Sequence, residues 1–256
     1  MGYENIILEK RDHVATLTIN HPPANAINLA TLEDIERALD DVEQDRETRV
    51  LIITGAGEKG FSAGFDVTDA ANADKTGPKG QEVWTRIDRF PKPVIAAING
   101  FALGGGCELA LACHFRIMLN APKVKIGLPE LNLGIIPGWG GTQRMTRTIG
   151  RSKALDLILF SKRLNATEAL EIGLVDMVSE PGKLMDDVNE LASRLAERPP
   201  IAVERVLRAI DAGLYHGIEK GLEVELEGTK IVSRSEDATE GFTAFLEKRK
   251  PVFKGK

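Results

Sequence analysis

Cysteine is scarce in this chain: Cys107 and Cys113 are its only two in 256 residues. They fall six positions apart on one stretch expected to be helical, too far along a helix axis to bridge, so no disulfide framework is implied and both read as reduced core thiols. The four histidines, His13, His21, His114 and His216, are scattered without metal-ligand spacing, and no metal site is expected. No run approaches the roughly 18 consecutive apolar residues of a membrane span. A net charge of -5 argues against nucleic acid or an anionic membrane as the main partner. The amino end, Met1-Gly-Tyr-Glu-Asn-Ile6, lacks the basic and apolar pattern of a secretory signal, and Ile6 is not the Ser or Thr of a myristoylation site. A cytoplasmic location is the expectation.

What the chain does have is glycine in three dense turns. The first is Gly60-Phe-Ser-Ala-Gly-Phe-Asp66, after the strand-like run Arg49-Val-Leu-Ile-Ile-Thr54. The second is Gly100-Phe-Ala-Leu-Gly-Gly-Gly106, between the apolar run Pro93 to Asn99 and a Leu- and Ala-rich segment ending at Cys113. The third runs from Gly134 to Gln143. Adjacent glycines cost chain entropy and bring no side chain to pack, so they suit places where backbone closely approaches something else. A helix that starts at the second turn presents N–H groups without intrahelical acceptors at the positive end of its dipole. Glu108 lies within about one helical turn of those donors.

Around these turns the pattern alternates. Ile6 to Glu9 and Val14 to Ile19 read as a hairpin. Two prolines make His21 to Ile27 an extended loop. Thr31-Leu-Glu-Asp34 has capping-box form ahead of an amphipathic helix reaching about Gln44. Residues 68–80 are small, polar and aperiodic, which predicts a mobile loop, with a short helix over Gln81 to Phe90. Further strands are expected at Phe115 to Leu119, Lys123 to Ile126 and Leu174 to Val178. Beyond Pro199-Pro200 the composition is helical, and Asp237 to Arg249 carries Phe242, Phe245 and Leu246 on one face. Strands alternate with helices first and helices dominate last, which predicts an α/β core with a helical C-terminal subregion.

Two turns with free backbone donors and two glutamates beside glycine, Glu108 and Glu130, fit a site where amides hold a carbonyl oxygen and carboxylates move protons. The glycine spacing is not G-x-G-x-x-G and no P-loop Lys-Ser/Thr follows, which argues against a nucleotide site. Apolar neighbours on all sides of Glu108 disfavour a merely solvated carboxylate. Glu130 is open to two readings, a catalytic group or a favourable charge at the start of a helical turn.

Phe61-Ser-Ala-Gly-Phe-Asp66, the segment Pro93 to Cys113 and Leu128-Pro-Glu-Leu-Asn-Leu-Gly-Ile-Ile-Pro-Gly-Trp-Gly-Gly-Thr-Gln-Arg144 resemble, in that order, the signature segments of the crotonase, or enoyl-CoA hydratase, superfamily. The similarity runs from about Ile6 to Phe253. It implies an α/β fold, a crotonase-like spiral of ββα turns over 1–195 with a helical C-terminal trimerisation region over 196–256, assembled as a homotrimer or a dimer of trimers. It also implies an acyl-CoA thioester as substrate and no cofactor, coenzyme A being part of the substrate. By position, the resemblance assigns the oxyanion-hole N–H groups to Phe65 and Gly105, the two catalytic carboxylates to Glu108 and Glu130, and a backbone position near the catalytic water to Gly138. Pro23, Ala24, Ala63 and Phe65 match coenzyme A contacts, and the segment Phe245 to Phe253, with Phe245 and Lys248, matches the part that meets adenine and phosphates, often from a neighbouring subunit. Both glutamates together resemble hydratases, which add water reversibly across the 2,3 double bond of a 2-enoyl-CoA. The rivals are an enoyl-CoA isomerase of the same fold and a hydratase-like RNA-binding protein. The latter expects a basic helix where this chain has Glu36, Asp40, Asp41, Glu43 and Asp45.

Overall fold

The computed structural model describes residues 2–57 and 59–256. The chain opens with an antiparallel hairpin, β1 (Ile6–Arg11) and β2 (Val14–Ile19), turning through Asp12 and His13 at φ 49° and 67°. After β3 (Ala26–Ile27) and α1 (Leu29–Gln44) a two-strand-plus-helix unit begins to repeat. It runs β4 (Val50–Gly55), β5 (Gly60–Ser62), β6 (Gly64–Phe65) and α2 (Ala73–Asp88), then β7 (Val94–Ile98), β8 (Phe101–Leu103) and α3 (Gly105–Ala112). The third rung has β9 (Phe115–Leu119), β10 (Ile126–Gly127) and a 3-10 turn over Glu130–Leu133, followed by α4 (Gly141–Ile149) and α5 (Arg151–Leu159). The remaining elements are β11 (Arg163–Leu164), α6 (Ala166–Glu171), β12 (Met177–Ser179), α7 (Leu184–Ala196), α8 (Pro200–His216), α9 (Ile218–Val232) and α10 (Glu236–Glu247).

One sheet has the order β1-β2-β4-β7-β9-β12 and the other β11-β10-β8-β5, with β3 paired to β6. Each rung steps from the first sheet to the second, and successive rungs pair in parallel, β4 with β7 and β7 with β9, β5 with β8 and β8 with β10. That repetition is the spiral of ββα turns that the resemblance implies. Side chains of β4 alternate between two cores, which explains its uninterrupted apolar run. Leu51 and Ile53 join Leu32, Ile35 and Leu39 of α1 and Trp84 of α2, while Val50 and Ile52 join Ile95, Ala97 and Ile117 against Leu184, Val188 and Ala192 of α7.

Several boundaries differ from the expectation. Residues 68–80 are not a mobile loop: a 3-10 turn over Val67–Asn72 leads into α2, which begins at Ala73 rather than Gln81. Thr76, Gly80, Val83, Trp84 and Ile87 bury one face of that helix, so tertiary contact overrides the unfavourable Gly77, Pro78 and Gly80. Helix α1 starts earlier than Thr31, on Asn28, whose side chain accepts the Thr31 N–H at 2.8 Å. Asp34 instead accepts the N–H groups of Glu4 and Asn5 (2.7 and 2.8 Å), pinning the amino end to α1. The expected strand at Lys123 to Ile126 is only Ile126–Gly127, and that at Leu174 to Val178 lies at Met177–Ser179. Cys107 is inside α3 and Cys113 caps its end, both buried and unpaired.

Candidate active site

The three glycine turns meet at the start of α3. Gly104 has φ 55° and ψ −126°, a backbone region open to glycine, and swings the chain so that Gly105 begins the helix. The first intrahelical bond is Glu108 N–H to Gly104 C=O at 2.9 Å, so the Gly105 N–H has no acceptor within the helix. Gly64 (φ 82°) packs directly on it: a Cβ at Gly64 would lie 2.5 Å from the Gly105 nitrogen. On the next residue, Phe65, strand pairing decides the direction. Asp66 N–H donates to the Ile27 carbonyl at 3.0 Å, and the alternation of a parallel ladder then turns the Phe65 N–H away from β3.

Both glutamates lie beside these donors. Every residue of α3 is buried, Glu108 included at 2% exposure. Its Oε1 accepts the N–H groups of Trp139 (2.8 Å) and Gly141 (2.7 Å) from the third turn. Burial raises the Glu108 pKa, opposed by those two N–H groups and by the nearby Arg144 cation. Glu130 is 8% exposed and opens the 3-10 turn; its Oε1 would be 3.2 Å from a Cβ placed on Gly104. Its Oε2 is buried and has no hydrogen-bond partner. Burial pushes the Glu130 pKa up to about 7, its own backbone N–H opposes that, and the Glu108 charge adds to the rise. The two acids therefore sense one another, and one is poised to hold a proton near neutral pH.

Aromatic packing fixes the wall behind them. Trp139 is 5% exposed and meets Phe65 and Trp84 edge to face, with centroids 6.4 and 5.5 Å apart. Its indole fills a slot where a Cβ on either Gly80 or Gly105 would come within 2.3 Å of the ring. Trp84 Nε1 donates to the Gly105 carbonyl at 3.1 Å, which ties α2 to the start of α3.

Of the residues singled out in the sequence, Phe65, Gly105, Glu108 and Glu130 come together here. Ala24 and Ala63 adjoin them, the Ala63 N–H donating to the Ala24 carbonyl at 3.0 Å, with Pro23 exposed on the same loop. Gly138 is an exposed residue in the turn that supplies the Glu108 donors. Phe245 and Lys248 are not brought to the cleft: Phe245 is 81% exposed and shares a separate apolar groove with Phe242, Gly241, Phe253 and Pro199. Trp139 was read from the sequence only as a residue shaping the acyl site beside the third turn, not as a backbone donor to Glu108; Gly141, Gly64 and Arg144 escaped the sequence reading as parts of the site, the two glycines because they act through backbone position. Among the described residues no group of three or more His, Cys, Asp or Glu could hold a metal ion, and no helix is long and apolar enough to cross a membrane.

Comparison with known proteins gives a consistent set of likenesses. Residues 9–256 match the family described as enoyl-CoA hydratase/isomerase. The chain is 44% identical over 259 residues to the crotonyl-CoA hydratase of Syntrophomonas wolfei, covering 99% of each chain. It is 43% identical to the short-chain-enoyl-CoA hydratase of Clostridium acetobutylicum, over 98% of this chain and 97% of that one. The crystal structure of enoyl-CoA hydratase from Bacillus anthracis superposes with a TM-score of 0.95 at 40% identity, over 99% of this chain and 100% of that one.

Proposed function

This chain belongs to the enoyl-CoA hydratase/isomerase family, and from that premise we propose how its cleft performs the reaction. The activity is hydration: reversible syn addition of water across the 2,3 double bond of a 2-enoyl-CoA thioester, giving the 3-hydroxyacyl-CoA. The thioester oxygen accepts hydrogen bonds from the N–H groups of Phe65 and Gly105. As a water oxygen bonds to C3, the π electrons move away from it through C2 onto the thioester oxygen, where each well-aimed donor lowers the barrier by about 3–4 kcal/mol. Glu108 orients the water and takes its proton, Glu130 delivers a proton to C2, and the proton returns from Glu108 to Glu130 before the next turnover. Gly138 lines the water's approach.

The observation that carries this reading is the pair of buried carboxylates on one glycine-lined cleft, Glu108 held by two N–H groups and Glu130 with an unpartnered oxygen. The division of labour follows from that asymmetry. A carboxyl with pKa about 7 is a proton donor at neutral pH, whereas burial raises the Glu108 pKa against the opposition of two amides and Arg144, which Glu130 lacks. No cofactor is needed, since coenzyme A arrives with the substrate, and the protein acts in the cytoplasm without nucleic acid.

Helices α8 and α9 expose Val206, Ile210, Leu214, Ile218 and Leu222 along one groove. That strip supports assembly through residues 196–256, as a trimer or dimer of trimers, with Pro23, Ala24, Ala63 and Phe65 meeting coenzyme A in one protomer. Phe245 and Lys248, remote from their own cleft, are then free to meet adenine and phosphates at a neighbouring one. The test is hydration of a 2-enoyl-CoA in 18O-labelled water by Glu108→Gln and Glu130→Gln. The expected result is a loss of orders of magnitude in kcat and in label uptake with thioester binding retained; near-normal turnover in either variant refutes the mechanism. Double-bond migration without label uptake in the unaltered protein would favour the isomerase.

A further inference from the structure

The third turn holds Glu108 through three successive peptide units. The N–H between Gly138 and Trp139 and the N–H between Gly140 and Gly141 both donate to Glu108 Oε1. The peptide between them, Trp139 to Gly140, is held from the opposite side, its carbonyl accepting from Arg144 Nη1 at 2.8 Å. Rotating that middle unit would swing both donors away from the carboxylate. Gly140 (φ 106°) lets the guanidinium seat inside the turn, since a Cβ there would lie 2.1 Å from Arg144 Nη1.

Arg144 is itself locked. It is 8% exposed, Nε donates to Asp88 Oδ2 at 3.0 Å and Nη2 to Thr85 Oγ1 at 3.2 Å, both on α2. A planar guanidinium fork spanning three acceptors has little rotational freedom, and a lysine could not reproduce it. Asp88 Oδ2 also accepts the hydroxyl of Tyr215 from α8, and the Tyr215 ring lies under the guanidinium groups of Arg89 (4.9 Å) and Arg147 (5.3 Å). Helix α8 has no buried residues, so this contact is a tether from the helical region to the cleft.

We propose that Arg144 is a positioning residue for Glu108, and that Asp88 and Tyr215 anchor it to α8, so that the helical region and the catalytic acid share one buried network. The inference rests on Glu108 acting as the acid-base group. Arg144 does not touch the substrate; it sets the turn that aims Glu108 and adds a positive charge beside it. The ionisable groups around Glu108 are Glu130, Arg144 and the Cys107 thiol; those around Asp88 are Arg144, Arg89, Tyr215, Asp211 and His114.

The test compares Arg144→Gln, Arg144→Lys and Tyr215→Phe in the full chain with Glu108→Gln, by kcat, KM, the pH dependence of kcat and thermal stability. Arg144→Gln should lower kcat by about 100-fold with KM little changed, the cost of a small misplacement of a catalytic group. Its acidic limb should move to higher pH, because a cation favouring charged Glu108 is gone. Arg144→Lys should restore the limb but not the rate, and Tyr215→Phe should lower kcat a few-fold. Unchanged kcat and pH limb per folded molecule in all three overturn the proposal, as does a rise confined to KM. Should Arg144→Gln fail to fold, Tyr215→Phe decides: an unchanged kcat and limb overturn the tether. Near-normal turnover by Glu108→Gln defeats the underlying mechanism instead, and an inactive Glu108→Gln beside normal Arg144 and Tyr215 variants defeats this inference alone.

Discussion

Helix α3 buries all its residues, a glutamate among them, whereas α8 buries none and leaves Val206, Ile210 and Leu214 more than half exposed. The first has every neighbour it needs within one chain: glycine backbone on one side, Trp139 on another, the third turn over Glu108. The second is an amphipathic helix whose apolar strip faces outward. The contrast teaches that the buried acid and the outward-facing apolar strip are separate parts of this molecule except at Tyr215 and Asp88, where a side chain from the outward-facing helix reaches the network behind the acid.

The largest expected effect lies on the buried side. Removing either carboxylate, by Glu108→Gln or Glu130→Gln, should lower kcat by about 10²–10⁴, measured by steady-state hydration of a 2-enoyl-CoA. Removing Leu214 should not do this, and a comparable loss there would break the distinction between the two regions.

How much of that contrast was legible in the chain depends on what carries the signal. The strands at Val50 to Gly55 and Val94 to Ile98 and the helix over residues 105–112 announce themselves through continuous apolar runs between glycines. Glu108 stands out because a carboxylate among apolar and glycine residues is out of place as a solvated group, whereas Glu130 also reads as a charge opening a helical turn and was assigned to catalysis by the resemblance alone. The first half of helix α2 was hidden because Gly77, Pro78 and Gly80 imitate a loop, yet Gly80 is needed where Trp139 lies against the helix, a contact 59 positions away in sequence. The pairing of Asp88 with Arg144 and Tyr215 had no local mark either. Hydrogen bonds between residues 56 and 127 positions apart leave no periodicity to read.

The next effect is a pH dependence of stability confined to the cleft. The Glu130 pKa is raised from 4.5 to about 7, so the folded protein binds that proton more tightly than the unfolded chain does. Its contribution is fully present below pH 4.5 and is lost as pH rises through about 7, a change of about 3 kcal/mol. Urea unfolding should therefore show Glu130→Gln gaining on the unaltered protein from pH 4.5 to 8, at the expense of activity. A constant difference across that range would mean the carboxyl is hydrated like any surface group.

The smallest effect on the folded protomer belongs to the helical strip. Leu214→Asp places a charge at a position 59% exposed in the single chain, so the stability of the protomer should change by only about 0.5 kcal/mol. Its mass by light scattering should nevertheless fall toward that of one chain. An unchanged assembly would remove α8 from the interface.

Direct titration of the Glu130 carboxyl, by isotope-edited infrared or carbon NMR, reaches the central claim of a shared two-acid cleft without relying on turnover. The midpoint should stand near 7 and move down when Glu108 is replaced by Gln, because a neighbouring negative charge is removed. A midpoint near the ordinary 4.5, unmoved by Glu108→Gln, would mean that the two carboxylates do not share a buried site.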